Sequence, residues 1–233
     1  IDMYTKAYNE AFIAKDDIAM VKILKDKALV LLDKGETTLA LKLLKKALKN
    51  ANENNMLYEK ALLNMNIGIC YEALGNLKKA LNFYLDSIKI RKQIGDLQGL
   101  ANCLGNIGNI YKTLGDLDKA LNYYFDSQKA SKQIGNLKGV ATSLNNIGTI
   151  YETKGDLDKA LNYYIDSKKI YEQIGDLNGV ASCLNNIGNI YDMKNDLDKA
   201  LTYYLDSKKI YEQIGDLQGI SSSLNNIGVI YET

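Results

Sequence analysis

The chain has 233 residues, 46% of them apolar and 24% charged, with a formal net charge of +1. Such a composition can bury a core, and it lacks the basic excess of a nucleic-acid binder, so no nucleic-acid partner is expected. No apolar run approaches the ~20 residues that span a bilayer, so no membrane insertion is expected.

An internal period organises the elements. Ala40, Ala80, Ala120, Ala160 and Ala200 recur every 40 residues. Gly68, Gly108, Gly148, Gly188 and Gly228 do the same, each followed three residues later by Tyr71, Tyr111, Tyr151, Tyr191 or Tyr231. In chain order, residues 1–16 read as a half repeat: Tyr4 and Ala7 stand where Tyr204 and Ser207 stand, so residues 2–14 match a second helix whose first helix is expected upstream. The chain opens on Ile1 and not on Met, in keeping with that expectation. Residues 17–55 are a divergent full repeat, with Ala28, Leu31, Gly35, Ala40 and Ala47 in register. Full repeats follow over 56–95, 96–135, 136–175 and 176–215, and residues 216–233 read as a first helix without its second.

The spacing within one repeat predicts two helices. Over 97–114, Leu100, Cys103, Leu104, Ile107, Gly108, Ile110, Tyr111 and Leu114 recur at three and four. Gly115 ends this helix, and Asp116 caps the next, whose apolar side carries Leu117, Ala120, Leu121, Tyr124, Ser127 and Ile134. Leu104, Gly108 and Tyr111 form one stripe of the first helix, while Leu100, Cys103, Ile107 and Ile110 form another. Two apolar stripes need two neighbours, the partner helix and an adjacent repeat, which gives an all-α stack of antiparallel helix pairs. Gly108 and Ala120 are small where the paired helices approach closely, so Gly108→Leu is expected to overpack that crossing.

The third face of each first helix is polar. Asn66, Asn106, Asn146, Asn186 and Asn226 form a column, flanked by Asn145, Asn185 and Asn225 and by Asn109 and Asn189 one turn on. An Asn amide both donates and accepts, so it can pair with a peptide backbone whatever the peptide's side chains. Helices ~8–10 Å apart would set one Asn against roughly every third residue of an extended strand rising ~3.3 Å per residue. Passive copying of one Asn by duplication would give the same column, and so would hydrogen bonding between repeats that fixes only their stacking. Glu72, Glu152, Asp192 and Glu232 edge the same face, with Lys112 as the exception, and mildly favour a basic partner.

Leu104-x2-Ile107-Gly108-x2-Tyr111 followed by Ala120-x3-Tyr124 resembles the tetratricopeptide repeat signature, and the likeness covers essentially the whole chain. The repeat departs from the usual ~34 residues, and the closing proline is missing. Such long repeats resemble those of the Leu-Gly-Asn adaptors and of bacterial signalling proteins with tetratricopeptide sensor regions. The resemblance implies a single right-handed α-solenoid over residues 1–233, with about five full repeats and a half repeat at each end. First helices would line a concave groove holding the asparagine column, as in the similar asparagine ladder of the O-GlcNAc transferase repeats. The expected function is a scaffold that binds a protein or peptide in that groove. The alternative is a structural module that self-associates head to tail through its half repeats. A carboxylate-clamp subtype is not expected, because Asn102 and Asn106 stand where basic residues would be needed.

Catalysis is not expected, nor any cofactor or metal. The chain has no His, the commonest general base and metal ligand. Gly105-Asn106-Ile107-Gly108 lies inside a helix and lacks the Lys-Ser/Thr ending of a phosphate loop. Asp116-Leu117-Asp118 lacks the rest of a calcium loop. Cys103 and Cys183 are two repeats apart, roughly 20 Å at normal helix spacing, too far for a disulfide. With Cys70 they read as buried packing residues. The paired tyrosines, such as Tyr123-Tyr124, read as packing groups too. No signal peptide is seen, so a cytoplasmic location is expected, with an extracytoplasmic sensor region as the alternative.

Overall fold

The computed structural model describes residues 2–232. Among them are twelve helices and no strand: α1 (Asp2–Ile13), α2 (Asp17–Asp33), α3 (Thr37–Glu53), α4 (Leu57–Ala73), α5 (Leu77–Ile94), α6 (Leu97–Thr113), α7 (Leu117–Gln133), α8 (Leu137–Thr153), α9 (Leu157–Gln173), α10 (Leu177–Met193), α11 (Leu197–Ile214) and α12 (Leu217–Glu232). Even-numbered helices are the first helices of the repeats and odd-numbered ones the second. The fold is an all-α repeat solenoid. Its helices fall into two compact units, residues 1–114 with α1 to α6 and residues 115–233 with α7 to α12.

The turns follow from two residues each. One residue takes a left-handed conformation and the next caps the following helix. Gly115 has φ of 77°, and the Asp116 carboxylate then accepts from the Lys119 backbone N–H at 3.1 Å. Asn76, Asp96, Asn136, Asp156, Asp176 and Asp196 cap in the same way. Three of the N-terminal turns depart from this, although Asp16 still caps α2. Glu36 and Met56 make no side-chain cap bond, and Lys15, at the position of Gly215, is held at φ 53°. A side chain in that region costs roughly 1–2 kcal/mol; Asn55 and Asn195 take it too, at φ 52° and 60°, and asparagine tolerates it better than lysine.

Within unit 1, α4 packs on α5 and α2 on α3; within unit 2, α8 packs on α9 and α10 on α11. Each second helix also packs on the next first helix of its own unit, α1 on α2, α3 on α4, α5 on α6, α7 on α8, α9 on α10 and α11 on α12. Both stripes expected on the first helices are therefore used. Leu104, Leu100, Cys103, Ile107 and Ile110 are buried, as are Leu144, Ile147 and Ile150 of α8. Leu114 and Ile134 are exposed, contrary to their place in the apolar pattern, because each falls in the turn just beyond its helix.

Two contacts set the helix spacing. The first pairs a helical glycine with a buried tyrosine. A Cβ on Gly68 would lie 2.6 Å from the Tyr84 ring, one on Gly148 2.7 Å from Tyr164, and one on Gly188 2.5 Å from Tyr204. All three tyrosines are buried. The second is a serine inside the stack. Ser167 Oγ in α9 donates to the Ala141 carbonyl of α8 at 2.8 Å and accepts from Cys183 Sγ of α10 at 3.3 Å. Ser87 does the same between Ala61 and Cys103, and Ser207 between Ala181 and Ser223.

Gly148→Leu tests the ring contact. Leaving glycine gains about 1 kcal/mol of helix propensity, but the side chain must displace a closely packed ring, at about 1–3 kcal/mol or more. We expect a net fall in the thermal midpoint, measured by circular dichroism; an unchanged or raised midpoint would show that the ring moves freely.

Candidate peptide-binding site

The polar face is carried by the even helices and is described unit by unit. In unit 1, Asn106 and Asn109 of α6 are half-buried, and Asn102 is exposed, accepting from Gln98 at 3.2 Å. Asn66 of α4 holds the same register yet is only 5% exposed. Its side chain is therefore more enclosed than those of its equivalents, which are half-buried. In unit 2, Asn145, Asn146, Asn185, Asn186, Asn189 and Asn226 are half-buried and Asn225 is exposed.

The unit 2 asparagines are linked across repeats. Asn186 Nδ2 of α10 donates to Asn145 Oδ1 of α8 at 3.0 Å. Asn226 Nδ2 of α12 donates to Asn185 Oδ1 at 3.1 Å and to Asn189 Oδ1 at 3.3 Å. Side-chain bonding between repeats thus accounts for part of the column. It does not exhaust it, since an Asn amide offers two hydrogens and an acceptor oxygen. Asn186 spends one hydrogen on Asn145, and the Asn146 side chain bonds no other side chain among the described residues.

Tyrosine hydroxyls reach the same face from the second helices. Tyr84 donates to Glu72 at 2.8 Å, Tyr164 donates to Glu152, and Tyr204 donates to Asn189 at 2.8 Å. Burial pushes the Tyr84 and Tyr164 phenols well above the ordinary tyrosine range, and the neighbouring carboxylates push further. Both stay protonated donors, and Glu72 and Glu152 are committed to them instead of standing open along the edge. The side chain of Glu232 lies outside the described residues.

One buried position breaks the repeat symmetry: Ala51, Arg91, Ser131, Tyr171 and Tyr211 occupy equivalent places. Tyr171 lies over Gly179, where any Cβ would collide with the ring, and its hydroxyl bonds Thr142 at 2.9 Å. Tyr211 lies likewise over Gly219 and bonds Ser182 at 2.9 Å. Arg91, 3% exposed, instead pairs with Asp96 and donates to Ser87 at 3.0 Å. Beside Tyr171 is a polar cavity of about 220 Å³, lined by Lys138, Asn145, Asp176, Asn178 and Ser182. Lys138 bridges to Asp176 at 2.8 Å and holds that carboxyl below its usual range. The asparagine period makes the column legible in the sequence. The apolar pattern does not mark the variable position, whose departure from the repeat is its one signal there.

Among the described residues no helix is long and apolar enough to cross a membrane, and no three His, Cys, Asp or Glu side chains cluster as metal ligands would.

The tetratricopeptide repeat family profile matches residues 57–133 and 139–213, the greater part of the sequence, and the chain belongs to that family. A search of curated proteins finds no match. Among solved structures, BtubC from P. vanneervenii superposes with a TM-score of 0.80 at 21% identity, over 92% of this chain and 91% of that one. The quorum sensor NprR from B. thuringiensis, in its apo form, gives 0.78 at 21% identity, over 99% of this chain and 63% of its own. A Rap protein complexed with competence and sporulation factor gives 0.76 at 15% identity, over 100% and 68%. At these identities the likeness is one of fold.

The three cysteines are free and buried. Burial pushes the Cys70 and Cys183 thiols up to about 11 and raises Cys103 as well. Since the thiolate is the reacting form, native protein at pH 8 should be alkylated by iodoacetamide at under roughly 1% of the rate of the urea-unfolded chain, rising about tenfold per pH unit below pH 11. Equal rates would show that the helices open around these thiols.

Proposed function

We propose that this chain is a non-catalytic protein-interaction scaffold whose even-helix face binds an extended peptide or partner segment. The supporting observation is the asparagine set itself: half-buried amides on successive first helices, tied to one another by a fraction of their hydrogen-bonding capacity. Asn66, Asn106, Asn109, Asn145, Asn146, Asn185, Asn186, Asn189, Asn225 and Asn226 make up the proposed contact set, with Asn66 its most enclosed member. The repeats are read as one array starting at residues 17, 56, 96, 136 and 176, which extends the sequence period through both units. A cytoplasmic setting belongs to the same reading. The Rap complex and the NprR sensor add support by analogy of fold, since one was solved with a bound factor and the other senses a signal.

Peptides selected from a displayed random library against the wild-type chain provide the test. Asn146→Ala is the cleaner variant, because it removes no bond to another repeat. We expect it to weaken selected peptides at least tenfold with the midpoint unchanged, and Asn186→Ala to add a stability loss of about 0.5–1.5 kcal/mol from its broken bond to Asn145. Unchanged affinity in both variants would leave the asparagines with a stacking role alone.

A second reading is head-to-tail self-association through the apolar face of α12. Leu224, Val229 and Tyr231 are exposed there, and Gly228 faces open space where Gly148 and Gly188 meet tyrosine rings. The proposed occupant is α1 of a second copy, which stands in second-helix register. Light scattering over a concentration series should show growth beyond the monomer mass; a constant monomer mass up to millimolar concentration would dismiss it.

A further inference from the structure

Unit 1 holds a second cavity, of about 120 Å³, between α2 and α4. It occupies the same repeat position as the polar cavity of unit 2, but its chemistry is inverted. Ile18 stands where Lys138 stands, Tyr58 for Asn178, Leu62 for Ser182, and Leu63 for Cys183. The cause is traceable to the variable position. In unit 2 the chain's own Tyr171 fills the space between α8 and α10, lying over Gly179. In unit 1 the equivalent of Tyr171 is Ala51, too short to reach, and the equivalent of Gly179 is Glu59, whose Cβ excludes a ring from that place. Leu62 and Leu63, with Ile18 and Val21, wall a gap whose lining is carried entirely by the even helices α2 and α4. Ile18 and Tyr58 stand 66% and 55% exposed at its mouth, with Val21 at its floor.

We infer that this cavity is an anchor pocket for one leucine-sized aliphatic side chain of the bound segment; the inference rests on the even-helix face being the ligand surface. Three observations fix the occupant. The wall is apolar, so a polar side chain would lose its water without gaining partners. The volume is a little below the ~150 Å³ cavity that admits benzene, and Glu59 takes part of the ring space, so an aliphatic group fits where a phenyl does not. Lys25 at the rim is already paired with Asp26 at 3.1 Å, so Lys22 is the cation left to meet an acidic residue next to the anchor. The asparagines would then grip the backbone without regard to sequence, while this pocket supplies the side-chain selection.

The probe is the capped peptide acetyl-Ser-Gly-Leu-Asp-Gly-Ser-amide, titrated into the whole chain with methyl and side-chain-amide NMR as the readout. We expect saturable shifts of the Ile18, Val21, Leu62 and Leu63 methyls. Leu→Ala in the peptide should weaken them at least tenfold, as loss of three buried carbons implies, and Asp→Lys should weaken them severalfold. The double variant Ile18→Lys, Leu62→Ser installs the residues the chain already uses at Lys138 and Ser182, so it should keep the native spectrum and lose the response. Two results overturn the pocket. In the first, the Leu and Ala peptides shift the methyls equally. In the second, asparagine amides respond while the methyls stay still, which would spare the face reading and remove the pocket alone. Silence from methyls and asparagines alike would count against both.

Discussion

A single buried serine hydroxyl, repeated down the stack, ties three helices at one atom. Ser167 donates to the α8 backbone and accepts from Cys183 of α10, so α9 is bonded to its own partner and to the next repeat together. A buried hydroxyl without partners costs about 1–3 kcal/mol. The three helices must therefore keep their mutual height to within a hydrogen-bond length, or strand both the serine and its donor. Non-directional apolar contacts along the same helices would tolerate sliding; the serine does not. The same tie recurs at Ser87 and Ser207, with a thiol or a hydroxyl as the incoming donor.

With height fixed, distance is set by the glycine and tyrosine contact. Removing a Cβ at Gly148 lets the Tyr164 ring lie against the α8 backbone, and the ring then delivers its hydroxyl to Glu152 on the outer side. Core packing and the polar face are thus coupled through one side chain. The asparagine bonds between α8, α10 and α12 sit on top of this frame and hold amide groups half-exposed at a regular interval. Fixed donors and acceptors cost a ligand less ordering than mobile ones, which is the property a backbone-reading face needs.

Much of this is legible in the residues. The 40-residue period, the Gly-Asp turns and the small Gly and Ala positions lead directly to paired helices and to the face that carries the asparagines. What the period does not show is which atoms meet. Ser127 reads as one more member of an apolar stripe, because its equivalents' two partners lie on helices 26 residues before and 16 after them. Asn66 shares its letter and register with Asn146 but is buried, a difference the column alone does not reveal. Leu114 and Ile134 fit the helical spacing and are exposed, because the helix stops before them. The contrast between the two cavities is hidden for a related reason: it arises from Ala51 and Glu59 acting together on different helices.

Repeat regularity and repeat divergence have separate tasks in this account. Regular positions build the frame and its asparagine face, and under the proposed function that face would read a peptide backbone while the divergent first repeat would add selection. The most direct measurement of the central claim uses a library-selected peptide with single backbone N-methyl groups placed at each residue in turn, which removes amide hydrogens while keeping every side chain. Recognition by the asparagine set predicts that affinity falls at roughly every third residue, in step with the helix spacing. Affinity that is indifferent to N-methylation at all positions would contradict it.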